Sequence, residues 1–337
     1  MMKLYKIIFF NSMILGTLIA ISSYSWMGMW MGLEINLLSI IPLFNSTHNM
    51  YSSESTLKYF ITQAFASLMI LFSIIIMLML MEFLSPLMNS SLLLIMNSAL
   101  LTKLGAAPFH FWFPEVMEGL SWVNCLILLT WQKIAPMILI MNNYFNITFM
   151  IFIIMASLII STLMSFNQIS LRKIMAFSSI NHISWMICAM MTSFSIWLIY
   201  LMIYMLINLN ILLIFKFTNS FYLNQFTNNS NYNKLIKLSI IINFLSLGGL
   251  PPFIGFLPKW LTINWLILNN FFMITFIVIL FTLIMLYIYI RIMVSSLILS
   301  HSQNKLFNQK LNNFWFMMFN FFSIFSLMGS TFLFNFL

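Results

Sequence analysis

Leu104-Gly-Ala-Ala-Pro-Phe109 and Leu247-Gly-Gly-Leu-Pro-Pro-Phe253 interrupt two otherwise apolar runs in the same way. Each sets Gly and Pro three residues apart and follows them with Phe. Each has a lysine close by, Lys103 just before the first and Lys259 just after the second. Gly weakens a helix and Pro removes a backbone donor, so both stretches predict a helix that breaks part-way. Lipid cannot satisfy the backbone groups freed at a break, and broken membrane helices are found where they line a cavity. Paired breaks in corresponding places of two halves point to an ion-translocating transporter. Gly and Pro also occur in ordinary membrane helices, as at Pro42 and Pro136; the adjacent lysines favour the functional reading.

The composition around these breaks leaves only a membrane for the helices. Of 337 residues, 62% are hydrophobic and 6% charged, where soluble chains carry about 25% charged residues. Asp is absent; Glu34, Glu54, Glu82, Glu115 and Glu118 face 14 Lys plus Arg. So few charges cannot clothe a water-exposed surface of this size. A net charge of +9 would suit nucleic acid if it were clustered, but no basic run exceeds two residues. Nucleic acid is therefore not an expected partner, and the charge reads as topology information. Cys125 and Cys188 lie in apolar runs without a second Cys or His at ligand spacing, so neither a disulfide nor a metal site is predicted. Phosphate-binding glycine loops and iron–sulfur or haem ligand patterns are absent from the sequence. No cofactor is expected on this chain. The abundant Met and aromatic residues read as lipid-facing filler.

At about 20 residues per crossing, the expected fold is an all-α polytopic membrane protein of about 11 transmembrane helices. They fall near 4–23, 26–45, 54–81, 90–112, 122–142, 146–166, 170–191, 194–216, 235–268, 271–293 and 313–335. The Asn-rich stretch from Thr218 to Asn233 and the polar stretch from Ser295 to Asn313 read as long connections. Ile7–Ile21, preceded by Lys3 and Lys6, reads as the first span and not as a cleaved leader. With alternating spans, Lys3, Lys6, Arg172, Lys173, Lys216, Lys234, Lys237, Arg291, Lys305 and Lys310 share one face. The connections near Ser23, Asn143, Ser193 and Asn270 carry no basic residue. The positive-inside rule then puts the N-terminus on the basic side and the C-terminus opposite. The broken helices, fourth and ninth in order, run in opposite directions.

Glu34, Lys103, Lys133 and Lys259 fall inside apolar spans. A charge at a helix centre costs about 2.5–3.5 kcal/mol on insertion scales. Snorkelling from a helix end, or a structural ion pair, would be the plain explanation. It fits Lys58, at the start of the third span, in part; it fits Lys133 poorly, because about ten residues of apolar span flank it on either side. The four read as lining a hydrated polar path, since intramembrane charges mark ion and proton pathways. An amine suits such a path because removal from water and nearby cations disfavour its ammonium form, whereas a carboxylate holds the proton. Moving Glu34 relative to Lys58 or Lys103 would thus gate a lysine row. His110 and His182, also in membrane segments, read equally as proton shuttles or as hydrogen-bonded structural residues. His48 and His301 read as loop residues.

Several stretches together carry a family resemblance: Trp30-Met-Gly-Leu-Glu-Ile-Asn36, Leu57-Lys-Tyr-Phe-Ile-Thr-Gln63, Lys103-Leu-Gly-Ala-Ala-Pro-Phe-His-Phe-Trp-Phe-Pro-Glu115, Leu129-Thr-Trp-Gln-Lys-Ile-Ala-Pro136, Leu171-Arg-Lys-Ile-Met-Ala-Phe-Ser-Ser179 and Leu245-Ser-Leu-Gly-Gly-Leu-Pro-Pro-Phe-Ile-Gly-Phe-Leu-Pro-Lys-Trp260. The chain resembles the subunit 2 family of mitochondrial NADH:ubiquinone oxidoreductase, respiratory complex I, of the animal and insect-like type. The resemblance implies an antiporter-like subunit of two inverted five-helix units, 1–142 and 146–293, followed by a loop and a last transmembrane helix over 294–337. It implies that Glu34 pairs with Lys58, that Lys103 and Lys133 form a central relay, and that Lys259 is the later proton-carrying position. It places the chain in the mitochondrial inner membrane, N-terminus toward the matrix and C-terminus toward the intermembrane space. Its neighbours would be lipids and other membrane-arm subunits, including subunits 4 and 4L on either side. NADH, FMN, iron–sulfur clusters and ubiquinone would belong to other subunits. Two further readings stand beside it: a free-standing cation/proton antiporter, and a structural membrane subunit with no proton path of its own. The antiporter is disfavoured because few acids are present to supply the oxygen ligands of a hard cation.

Overall fold

Apolar sequence that must satisfy its own backbone in lipid folds as helix, and helices are the only regular elements among the described residues. The computed structural model describes residues 4–46, 49–80, 86–143, 146–230 and 234–298. The predicted last span, 313–335, lies outside them, as do Lys3, His48, Glu82, His301, Lys305 and Lys310. Seven of the described helices, and the run Trp122–Asn142 taken as a whole, are long and apolar enough to cross a membrane. The chain divides into two units, Met1–Ser157 and Leu158–Leu337.

In the first unit, α1 (Leu4–Ser22) and α2 (Trp26–Phe44) form a hairpin whose turn Ser25 caps, its Oγ accepting from Gly28 N at 3.2 Å. Small residues let the two backbones touch. A Cβ on Gly32 would overlap Ala20 N, and one on Gly16 would lie 2.8 Å from Asn36 N. Such close approach is how helices associate where no hydrophobic force separates helix from lipid. Next come α3 (Met50–Leu80), α4 (Pro86–Leu104), α5 (Trp112–Gly119), α6 (Trp122–Leu129) and α7 (Trp131–Asn142). With 31 residues, α3 is about 46 Å long at 1.5 Å per residue, so it outreaches a hydrocarbon core of about 30 Å.

The α8 helix (Ile147–Ser165) leads into the second unit, with α9 (Leu171–Thr192), α10 (Phe194–Thr218), α11 (Leu223–Ser230), α12 (Lys234–Gly248), α13 (Phe256–Leu268) and α14 (Phe272–Ile298). The centre of this unit is α9, nearly every residue of which is buried. α14 shows the opposite pattern on one side. Phe276, Leu280, Leu283 and Tyr287 are exposed at helical spacing, while Val278, Met285, Ile288 and Tyr289 on its other side are buried. Apolar residues on both faces suit a helix between protein and lipid. Buried hydroxyls bond back to their own helix, as Ser73 Oγ does to Ile70 O at 2.7 Å, which satisfies them without water.

Three predicted spans are redrawn. The run 90–112 stops at Leu104, and 235–268 splits into α12 and α13, both at the Gly-Pro interruptions. The run 122–142 is also divided, at Thr130, whose Oγ1 donates to Leu126 O at 2.7 Å. Pro136, one turn into α7, lacks the N–H that would bond Gln132 O. The Asn-rich connection holds the short helix α11, and its entry is pinned where Leu171 N donates to Phe221 O and Leu223 N to Ile169 O.

Candidate functional site

Both breaks are built from one motif. At the first, Gly105 has φ +75°; its N–H reaches Leu101 O and Thr102 O, and Ala106 N donates to Leu101 O. At the second, Gly249 has φ +78°; its N–H reaches Leu245 O and Ser246 O, and Leu250 N donates to Leu245 O. This left-handed Schellman cap ends a helix cleanly and favours Gly, which carries no Cβ to strain. The carbonyls left over at the first break find side-chain donors. Trp112 Nε1 donates to Thr102 O at 3.0 Å, and Gln63 Nε2 reaches Lys103 O at 3.5 Å. At the second, Lys259 itself supplies them, its Nζ donating to Leu247 O and Gly248 O at 2.9 Å each.

Each break thereby holds a lysine out of water: Lys103 is 8% exposed and Lys259 7%. Lys103 borders a cavity of about 20 Å³ lined also by Asn36, Tyr59, Gln63, Gln132 and Pro136. That is room for a water molecule among several polar partners. Asn36 and Gln132 face each other amide to amide, Asn36 Nδ2 donating to Gln132 Oε1 at 3.0 Å and Gln132 Nε2 to Asn36 Oδ1 at 3.1 Å. The Tyr59 hydroxyl points at the same Gln132 oxygen from 3.5 Å. Next along α7 is Lys133, 2% exposed, with its amine 5.9 Å from the Phe113 ring centre. Phe113 also fills the space beside Gly105, where a Cβ would lie 3.1 Å from the ring. The geometry of the first break therefore shapes the surroundings of both lysines. Half-buried Glu34 lies within electrostatic reach of Lys103.

The expected Glu34–Lys58 pair is not formed. Lys58 Nζ bonds instead to Glu115 Oε2 at 2.9 Å and Glu54 Oε1 at 3.0 Å, with all three side chains largely exposed. Helix register explains the difference. Trp30 Nε1 donates to Ser67 O, and Phe44 packs on Tyr59, so α2 and α3 run antiparallel. Glu34, one turn after Trp30, is then nearer the level of Ser67 than that of Lys58. Gly119, where a Cβ would lie 2.6 Å from Ser55 Cβ, lets α5 approach α3 and brings Glu115 to Lys58.

His110 is buried in the first break, with Nδ1 3.3 Å from Pro108 O and its ring against Phe111. His182 is buried on α9, Nδ1 2.8 Å from the Tyr200 hydroxyl, and its ring packs on Tyr204 at 5.1 Å. The lysine beside the second break lies over Trp185, 5.7 Å from the ring centre. Phe276 is exposed, but the reading of aromatics as lipid-facing filler fails for Trp185, Tyr200, Tyr204 and Tyr289, all buried. A signal for the polar ones was present: Tyr200, Tyr204 and Asn208 recur every four residues in an apolar run, one stripe of a helix. Asn36 and Gln132 carried a weaker signal, as amides within spans.

A broken helix bearing a buried lysine in each of two units defines an antiporter-like membrane subunit. Residues 23–285 match the family model described as NADH:quinone oxidoreductase/Mrp antiporter, transmembrane. NADH-ubiquinone oxidoreductase chain 2 of Anopheles gambiae is 51% identical over 330 residues, covering 96% of each chain. The protein of the same name from Aedes aegypti is 51% identical over 316 residues, covering 93% of this chain and 92% of its own. A chain of respiratory complex I from Thermus thermophilus, solved with bound aureothin, has the same fold. Its TM-score is 0.86 at 19% identity, over 97% of this chain and 79% of that one. The chain belongs to the NADH-ubiquinone oxidoreductase chain 2 family.

Proposed function

We propose that this chain is a core membrane-arm subunit of a proton-pumping NADH:ubiquinone oxidoreductase, moving protons through buried lysines while other subunits carry the electrons. The observation that carries this reading is the Lys103 amine beside a water-sized polar cavity, next to a helix break in a bundle otherwise built for lipid. A buried amine with polar neighbours can take and release a proton, and burial without such neighbours would carry only cost. Glu34, Lys103 and Lys133 serve the first unit and Lys259 the second, with His110 and His182 as subsidiary proton groups. Lys58, with Glu54 and Glu115, forms the more exposed charged cluster at the edge of this path. The two units are inverted repeats, and the last helix follows them. The mitochondrial inner membrane is the setting, with the N-terminus toward the matrix; the basic helix ends support that orientation. Neighbouring membrane-arm subunits, among them subunits 4 and 4L, flank the chain, which holds no redox group.

Replacing Lys103 in the assembled complex tests the reading. Lys103→Met should stop proton movement through this subunit with the complex still assembled. Lys103→Arg should not restore it, because guanidinium keeps its charge but does not give up its proton. Proton uptake into closed membrane vesicles, followed per NADH oxidised, provides the measurement. Restoration by Arg would mean that the amine serves only as a fixed charge. Loss of assembly in Lys103→Met with normal flux in the remainder would favour a structural subunit.

A further inference from the structure

The amide pair on the wall of the Lys103 cavity is fixed from several sides. Asn36 on α2 and Gln132 on α7 exchange two hydrogen bonds, of 3.0 and 3.1 Å. The backbone of Asn36 is pressed against α1 at Gly16, where a Cβ would lie 2.8 Å from Asn36 N. Its carbonyl accepts from Ser39 Oγ at 2.7 Å. Tyr59, whose hydroxyl approaches Gln132 Oε1 to 3.5 Å, is wedged between the Phe44 and Trp112 rings, 5.4 and 5.8 Å away. Trp112 in turn caps the first break through Thr102 O. The cavity these groups share has mainly polar walls and is bordered by Lys103. The Lys103 amine, though buried, donates no hydrogen bond to any described residue. A buried ammonium demands such partners, and water in the cavity is the partner that the walls are shaped to hold.

We propose that the Asn36–Gln132 pair is a positioning clasp for proton transfer at Lys103: the amides hold each other so that their remaining polar groups fix the orientation of the cavity water. An amide has two N–H donors and two acceptor positions. The reciprocal bonds use one of each on both residues, so one N–H on each remains for the cavity. A water that accepts from such an N–H and from the Lys103 ammonium is aligned to take the amine's proton while giving up one of its own. One O–H bond forms, another breaks, the amine is left neutral, and the released proton goes to the next water of the path. The amides neither gain nor lose a proton, so they orient water without trapping charge. Donors held in place beforehand need no rearrangement when the charge moves. This inference rests on the proton-carrying reading above.

The test uses Asn36→Ala, Gln132→Met and the double variant in the assembled complex. Proton uptake per NADH oxidised is measured in closed vesicles, and complex content on native gels. Either single change opens the clasp, so uptake per NADH should fall several-fold in complex that has assembled. The double should be no worse than the lower single, because both changes remove one unit. Wild-type uptake in either single, or losses that multiply in the double, would overturn the proposal. Reduced content with normal uptake by the remainder would overturn it too, since that is the pattern of an amide pair that only joins helices. Should these variants fail to accumulate, Asn36→Thr serves instead. Threonine is close to Asn in size, and its hydroxyl can bond its own helix, leaving no polar group unpaired. Several-fold lower uptake in Asn36→Thr supports the proposal, and wild-type uptake overturns it. Lys103→Met runs alongside. Normal uptake there would sink the parent reading, whereas loss there with normal uptake in the clasp variants removes this inference alone.

Discussion

Lys133→Met is expected to abolish proton movement through this subunit while leaving the complex assembled. The amine is almost wholly buried, one residue from the Gln132 amide and above the Phe113 ring. Met has nearly the same length and no proton to exchange, so packing is kept and the chemistry is lost. Removing a proton-transfer group from a reaction typically costs about 10²–10⁴-fold, and a loss on that scale is expected here. Proton uptake in vesicles and complex content on native gels check both halves of the expectation. A structural role predicts the reverse pattern, with falling content and normal uptake by what remains.

Gly249→Val is the second substitution with a large expected effect. The residue has φ +78°, and a Cβ would lie 2.7 Å from Lys259 Cδ and 3.0 Å from its amine. Left-handed backbone costs an L-residue about 1–2 kcal/mol, and overpacking adds about 1–3 kcal/mol. Lys259 would also be driven from the two carbonyls it caps. A drop of about 2–5 kcal/mol in stability should appear as less assembled complex and a lower melting temperature. Gly248→Ala is the comparison: its φ is not left-handed, and its nearest neighbour would be the flexible Leu286 side chain at 3.3 Å. It should be tolerated. Equal damage from both would mean that the region resists any added volume, and that the left-handed cap is not the reason.

The breaks were legible because Gly and Pro act locally. Gly105 and Gly249 end their helices by donating to carbonyls three and four residues back, and the residue after each donates to a carbonyl five back, so the sequence alone predicts where each stops. Membrane class was legible because it depends on composition, which needs no register. The pairing of Lys58 was not legible in the same way. It depends on how α2, α3 and α5 slide past one another, and the Trp30–Ser67 bond and the Gly119 contact that set this are tertiary. For the same reason the amide pair of Asn36 and Gln132, 96 residues apart, was hidden although both residues lay in the stretches that carried the resemblance. The division at Thr130 escaped because a threonine within an apolar run ordinarily bonds its own helix without ending it. Pro136 below it was the local clue.

Whether the lysines are wet decides the account. A map of the assembled complex, sharp enough to place water, should show an ordered molecule bonded to Lys103 Nζ in the pocket between Asn36, Tyr59 and Gln132. If that pocket is filled by apolar side chains, or if the amine turns outward to the acyl chains, no proton can be handed on there and the proposed path is wrong.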